Sequence, residues 1–296
     1  MSVGDWRRVS RSKPCPICGT ADWCTVSADG SAACCMRVES TKRLRNGGWL
    51  HRLHGSGNDW RPRPRTGSVL VHARRSAGPD FGKLAELYQK AVNPFHLIRF
   101  ASELGIRHSS LMRLGVGWAT ANELRALGTK CTGPGCWTWP MHAGGRVVGI
   151  RLRTLSGFKY AIGGSQQGLF VPTNLPDDGP LLVAEGSTDT AALLQLEFAT
   201  IGRPSCSGAV QLVCDFARGR SVVVVADGDG PGQRGAEVLA RALRLHCRDV
   251  RVIRPPDGTK DARAWVCSGA TATDVRTAID AAEPVRMTIE TNTAGC

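Results

Sequence analysis

Several things are missing from this 296-residue chain, and each absence narrows what it can be. No stretch reaches the roughly 18 apolar residues that a membrane-crossing helix needs. The N-terminus has no apolar core of a secretory signal, so the expected setting is soluble and cytoplasmic, with no membrane partner. Nowhere does Gly-x-x-x-x-Gly-Lys-Ser/Thr appear, so the phosphate-gripping loop of an NTP-driven motor is absent. Negative charge is scarce too, but only in part of the chain. Lys and Arg stand at 14 against 6 Asp and Glu over residues 1–82 and at 11 against 5 over 83–179, whereas 13 face 14 over 180–296. A basic front half leading into an acid-balanced back half, at net charge +13, suits a polyanion such as nucleic acid.

What is present begins with 12 cysteines, which without a signal peptide argue for metal binding rather than disulfides. Cys15-Pro16-Ile17-Cys18-Gly19 reads as a metal knuckle, Cys24 follows closely, and Asp29-Gly30 marks a hairpin turn before Cys34 and Cys35. Four thiolates from two short arms would enclose a tetrahedral structural Zn²⁺, without which so small a module has too little core to fold. The candidate ligands are Cys15, Cys18, Cys24 and Cys35; adjacent Cys34 and Cys35 cannot easily share one ion, and the alternation Ser31, Ala33, Cys35 favours Cys35. Trp6, Trp23, Trp49 and His51, interleaved with Arg37, Lys42, Arg43 and Arg45, are either stacking faces and phosphate contacts or ordinary core. Cys131 and Cys136 flank Thr132-Gly133-Pro134-Gly135 without a partner pair, so a plain loop is expected there. Cys206, Cys214, Cys247 and Cys267 read as small core residues.

Residues 55–82 are rich in Arg, Pro, Gly and Ser, including Arg61-Pro62-Arg63-Pro64-Arg65, and read as an extended linker. Helical spacing follows over 83–103, interrupted at Pro94 so that two helices are expected, and a short helix over 109–114. Strands are expected at 139–141, 146–153, 158–160 and 168–172, with Arg151 and Arg153 on one face.

The chain is organised around Leu181-Leu182-Val183-Ala184-Glu185-Gly186-Ser187-Thr188-Asp189 and Val222-Val223-Val224-Val225-Ala226-Asp227-Gly228-Asp229. Unbroken Val-rich runs suit strands of a parallel sheet covered on both faces. Ligands gather at the carboxyl ends of such strands, where Glu185, Asp227 and Asp229 would sit, with Asp189 entering from the first turn of the next helix. Carboxylates held together repel one another unless a cation neutralises them, and hard oxygen donors point to Mg²⁺ or Mn²⁺ and a phosphate-bearing ligand. A third strand over 250–253 precedes Lys260-Asp261; covering and closing helices are expected over 233–245, 262–267 and 272–282, before a frayed tail.

Taken as a set, Glu-Gly-x-x-Asp, Asp-x-Asp and Lys-Asp after three successive strands resemble the Toprim domain, an α/β module shared by primases, topoisomerases, RecR-like proteins and some nucleases, over residues 179–266. The resemblance implies a general acid/base role for Glu185, metal-holding roles for Asp227 and Asp229, and supporting acidic positions at Asp189 and Asp261. Upstream, Gly-x-Arg-x-x-Gly-Ile-Arg-x-Arg, then Lys159-Tyr160, then Gly168-Leu169-Phe170 resemble the N-terminal half of the bacterial primase polymerase domain. This implies that Lys159, Arg151 and Arg153 contact template or incoming nucleotide.

The expected architecture is α/β, α+β overall. A β-rich zinc module (1–54) and a basic linker (55–82) precede a mixed helical and β subdomain forming the N-terminal part of a polymerase core (83–178). A Toprim domain with a mostly parallel sheet flanked by helices (179–267) and a closing helix and tail (268–296) complete it. The expected activity is a DNA-dependent RNA primase that builds short primers from ribonucleoside triphosphates on single-stranded DNA, with structural Zn²⁺ and two catalytic Mg²⁺ or Mn²⁺ ions held by Glu185, Asp227 and Asp229. Lacking a P-loop, the chain would rely on a helicase supplied separately. A Toprim nuclease or a RecR-like recombination mediator remains the alternative at this point.

Overall fold

The computed structural model describes residues 6–42, 44, 48–53 and 78–286, and the chain divides into two compact units, residues 1–73 and 74–296. Most of the expected linker, Arg43, Arg45 and the tail from residue 287 lie outside the described residues.

In the first unit, strands β1 (Trp6–Arg8), β2 (Thr25–Ser27), β3 (Ala32–Cys35) and β4 (Trp49–Arg52) form an antiparallel sheet in that order. The turn between β2 and β3 is made by Asp29 and Gly30: Gly30 takes φ +72° and donates its N–H to Ser27 O at 2.9 Å, while Asp29 Oδ1 accepts from Ser31 N at 3.1 Å. The apolar interior holds little beyond Val9, Cys15, Cys24 and Cys35, with Ile17, Cys18, Val26 and Met36 against it. A core that small needs a staple.

The second unit contains two sheets. Helix α1 (Phe81–Lys90) starts at Asp80, whose side chain accepts from Lys83 N, and α2 (Pro94–Leu104) starts at Asn93, whose side chain accepts from Phe95 N and His96 N. Pro94 thus opens the second helix, where its missing N–H costs nothing. After α3 (His108–Arg113) come β5 (Gly117–Thr120) and α4 (Ala121–Ala126), both too short to show a period in the sequence. Strand β5 then pairs with β6 (Gly135–Ala143), β7 (Arg146–Thr154) and β8 (Lys159–Ala161) in an antiparallel sheet.

The other sheet is wholly parallel, in the order β10 (Thr200–Arg203), β9 (Leu181–Glu185), β11 (Ser221–Val225), β12 (Asp249–Ile253). Helices α5 (Gly186–Leu194), α6 (Val210–Phe216), α7 (Gly230–Leu243), α8 (Ala262–Cys267) and α9 (Ala272–Ala281) cover it. Leu181, Val183, Ile201, Val222 and Val224 pack against Val213 of α6 and Ala236, Leu239 and Leu243 of α7. Leu182, Ala184, Val223, Val225 and Ile253 pack the other way, with Leu193 of α5, Trp265 of α8 and Val275 of α9. Burial on both faces is what the Val-rich runs require, and each such side chain contributes about 1.5–3 kcal/mol.

Residues 168–172, expected as a strand, make only single bridges, Leu169 to His142 and Phe170 to Gly202. One contact to each sheet is enough to stitch them together and too little for a strand. A shared core completes the join: Trp137, Trp139 and Met141 of β6 pack with Phe100 of α2 and with Ala191 and Leu194 of α5, and the Phe100 and Trp137 rings stack at 4.3 Å. Among the described residues no helix is long and apolar enough to cross a membrane.

Candidate functional site

In the first unit the Sγ atoms of Cys15, Cys18, Cys24 and Cys35 all lie within 4.8 Å of one another. The knuckle is closed by Gly19, at φ +69°, whose N–H donates to Cys15 O at 2.8 Å. Backbone N–H groups point at the sulfurs: Met36 N donates to Cys24 Sγ at 3.4 Å, and Val38 N and Arg37 N donate to Cys35 Sγ at 3.2 and 3.4 Å. Amides aimed at sulfur favour thiolates; hydrogen bonds from Thr20, Cys15 and Cys24 outweigh burial to hold the Cys18 thiol below its ordinary range, whereas burial pushes the Cys24 thiol up to about 12 despite the Met36 amide. Four buried or half-buried thiols in this geometry fit a structural Zn²⁺. Cys34, opposite Thr25 and Leu50 in the ladder, points to the other face and stays outside the group.

Around this cluster Trp23 is 69% and Trp6 41% exposed. Arg37 is engaged locally, with Asp22 Oδ1 at 2.8 Å and Thr20 Oγ1 at 2.6 Å, and His51 Nε2 bonds Val38 O at 3.0 Å. Of the expected stacking and phosphate contacts, then, the two tryptophans are presented to solvent while Arg37 and His51 brace the module.

In the second unit the carboxylates collect at the carboxyl ends of the parallel strands. Strand order reverses between β9 and β11, and ligands of open α/β sheets sit at such a switch point. Glu185 ends β9 and makes no cap bond to α5, so its carboxylate is not spent on the helix. Asp229 caps α7, Oδ1 accepting from Gly232 N at 2.7 Å, and Asp261 caps α8, accepting from Ala264 N at 2.7 Å. Asp189, buried on α5, accepts from Arg263 N at 3.0 Å and so faces the positive end of α8. The loops after β11 and β12 are tied by Gly228 N donating to Lys260 O at 2.7 Å; a Cβ at Gly228 would come 2.7 Å from Thr259 O, so only glycine allows the approach.

The electrostatics show the crowding. Burial pushes the Asp227 carboxyl up to about 8, and the charges of Asp189, Glu185, Asp261 and Asp229 add to it. Burial also raises Glu185, with Asp229 adding and Arg203, the Cys206 amide and Lys159 opposing. Hard oxygen donors left this short of positive charge fit a divalent ion of the Mg²⁺ or Mn²⁺ kind. The carboxylates are set more openly than the thiolates, which form the one group among the described residues closing to within 4.8 Å.

The basic residues reach this edge from the antiparallel sheet. Arg153 stands opposite both Trp137 and Lys159 in the ladder, and Arg151 opposite Trp139, so all share the face turned toward α5. A Cβ placed on Gly186 would lie 4.0 Å from Lys159 Nζ and 3.7 Å from Asp189 Oδ2, which locates the ammonium over the start of α5. Lys159 is exposed, yet the protein around it pushes its pKa down, with Asp189 and Asp261 opposing and Arg153 and Arg151 adding. A cavity of about 570 Å³ bordered by Met112, Pro140, His142, Leu169 and Phe216 shares no residue with this site.

Three residues of the site escape sequence reasoning. Cys206 is no core residue: it lies half-buried beside Glu185, Arg203 and Asp229, and burial and the two acids raise its thiol. Arg203, in register with Glu185 on β10, is fully buried. Arg263 holds Asp189 through its amide and Leu104 O through Nη1 at 3.1 Å. The remaining cysteines divide: Cys214 and Cys247 lie in the core, Cys267 is exposed with Sγ 3.4 Å from Leu104 O, and Cys136 is buried in β6 with Sγ 3.8 Å from Cys131 Sγ.

No family model matches the sequence, and no curated protein matches it. Solved structures do. The Escherichia coli primase catalytic core superposes with TM-score 0.54 at 21% identity, covering 69% of this chain and 79% of that one. The Aquifex aeolicus primase, zinc-binding and RNA polymerase domains, gives 0.53 at 16%, covering 70% and 60%. The RNA polymerase domain of the Mycobacterium tuberculosis primase DnaG gives 0.51 at 18%, covering 69% and 82%. The chain therefore has the fold of bacterial primase catalytic cores.

Proposed function

We propose that this protein is a DNA-dependent RNA primase, made of a zinc module, a basic linker, the N-terminal part of a polymerase core and a Toprim domain. The observation that carries the reading is the facing of two opposite charge sets: Lys159 and Arg153, paired across β7 and β8, against Asp189 and Asp261, which crowd Asp227 at the sheet switch point. A site of that kind suits a nucleotide whose phosphates and metal must be held together.

In this reading Glu185, Asp227 and Asp229 form the catalytic and divalent-metal face, with Asp189 and Asp261 fixing its outer edge. A bound Mg²⁺ or Mn²⁺ would supply charge stabilisation for the triphosphate and the departing pyrophosphate. Lys159 and Arg153 orient the triphosphate, Arg151 extends the positive strip toward the template, and the buried sheet excludes water beneath them. Asp229 and Asp261 hold their carboxylates rigidly because each is also a helix cap. Exposed Trp23 and Trp6 offer stacking faces to single-stranded template.

The test gives the full-length zinc-loaded protein labelled ribonucleoside triphosphates, Mg²⁺ and single-stranded DNA. Short oligoribonucleotides are expected. Shortened DNA would identify a nuclease instead, and retention of DNA without new polymer would identify a binding protein of the RecR-like kind.

A further inference from the structure

Arg203 is the least expected side chain at the acidic edge. It ends β10 directly in register with Glu185, on the sheet face covered by α6 and α7, where Ile201 and Val183 precede the two residues. It is 3% exposed, and among the described residues its Nη1 has no hydrogen-bond partner. A buried guanidinium left partly unpaired is costly, and the neighbouring charge has to offset it. Glu185, Cys206 and Asp227 supply that charge, against the burial that disfavours the cation. The backbone that carries Arg203 is clamped as well. A Cβ on Gly202 would stand 2.9 Å from Gly186 O and 3.1 Å from Phe170 Cδ2, so β10 lies hard against the turn between Glu185 and α5.

The cations around the acids are thus divided. Lys159 acts on Asp189, Asp261 and Glu185 from the antiparallel sheet, while Arg203 acts first on Glu185 and then on Cys206 and Asp227 from within the parallel sheet. Sheet order sets Arg203 on β10 directly beside Glu185 on β9, with Asp227 and Asp229 following β11, one strand further from it. A fixed positive charge beside Glu185 repels a second metal ion at that carboxylate and leaves the Asp227 and Asp229 side open. We propose that Arg203 is a built-in cation standing where a second divalent ion would otherwise sit, so that the acidic edge takes one such ion, through Asp227 and Asp229, and leaves Glu185 free to meet the substrate. Arg203 is a positioning residue here: it acts through Glu185 and through the metal count. The inference rests on the metal-binding part of the proposed function and deepens it.

The experiment counts Mn²⁺ bound to the full-length, zinc-loaded protein by electron paramagnetic resonance of the free ion, for the natural protein, Arg203→Met, Arg203→Lys and Asp227→Ala. One Mn²⁺ is expected in the natural protein, lost in Asp227→Ala. Arg203→Met should take up a second ion, or bind the first about tenfold more tightly, and Arg203→Lys should behave as the natural protein does. Two ions of similar affinity in the natural protein overturn the inference alone, whether or not Arg203→Met folds. So does a folded Arg203→Met, judged by circular dichroism, whose count and affinity are unchanged. No Mn²⁺ on the natural protein overturns the metal reading and this inference with it.

Discussion

The cysteine cluster and the acidic edge both gather like charges, but they are held in opposite ways. Four sulfurs converge within 4.8 Å in a unit whose apolar interior is a handful of side chains. Nothing else in that unit would keep four thiolates together. The carboxylates rest on a scaffold that is complete without an ion: Asp229 and Asp261 cap helices, Asp189 takes an amide from α8, and an arginine is buried among them. In the proposed reading a metal belongs to the fold in one place and to the chemistry in the other.

The largest effect that tests this contrast is expected from Cys15→Ser. Structural zinc contributes on the order of 10 kcal/mol in modules of this size, so the variant should lose its zinc and the dispersed amide signals of residues 6–53, while those of 78–286 persist. Collapse of both units together would break the contrast. Next, Asp227→Ala should lower primer synthesis on the order of a hundredfold or more. Without added Mg²⁺ its thermal midpoint should stay level or rise, because the natural carboxyl is crowded by four others; a marked fall in midpoint would make Asp227 structural.

The smallest effect is one of pH. In the metal-free protein the Asp227 carboxyl titrates near 8, well above an unfolded aspartate near 4. The folded form therefore keeps a proton that the unfolded form gives up. That contribution to stability is fully present below about pH 4 and is lost as pH rises through 8. A metal must displace the proton, so Mn²⁺ should bind more tightly from pH 6 to 8, with proton release seen by calorimetry in two buffers of different ionisation heat. Affinity that is flat across that range would place the ion elsewhere.

Much of this was legible in the chain because the relevant elements are long or obey a strict period. β9 and β11 are apolar runs that nothing but a doubly covered sheet would bury, and alternation along β3 separates Cys35 from Cys34. β10 was not legible. Thr-Ile-Gly-Arg is four residues with a glycine and a charge, and it becomes a strand only because β9 offers it an edge. Arg203 was hidden with it, and Cys206, three residues on, looked apolar because its acidic neighbours come from distant strands. Lys159 and the arginines were easier, since alternation alone sets Arg151 and Arg153 on one face and the ladder adds Lys159 opposite.

Arg151 and Arg153 of β7 lie across the ladder from Trp139 and Trp137, whose rings lock the two sheets together. Because neighbouring positions along a strand face opposite ways, a one-residue slip of β7 against β6 would turn Arg151 and Arg153 into the core that Ile150 and Leu152 fill and expose those two in their place. The aim of the positive charges is thereby tied to the same hydrophobic packing that fixes the strand.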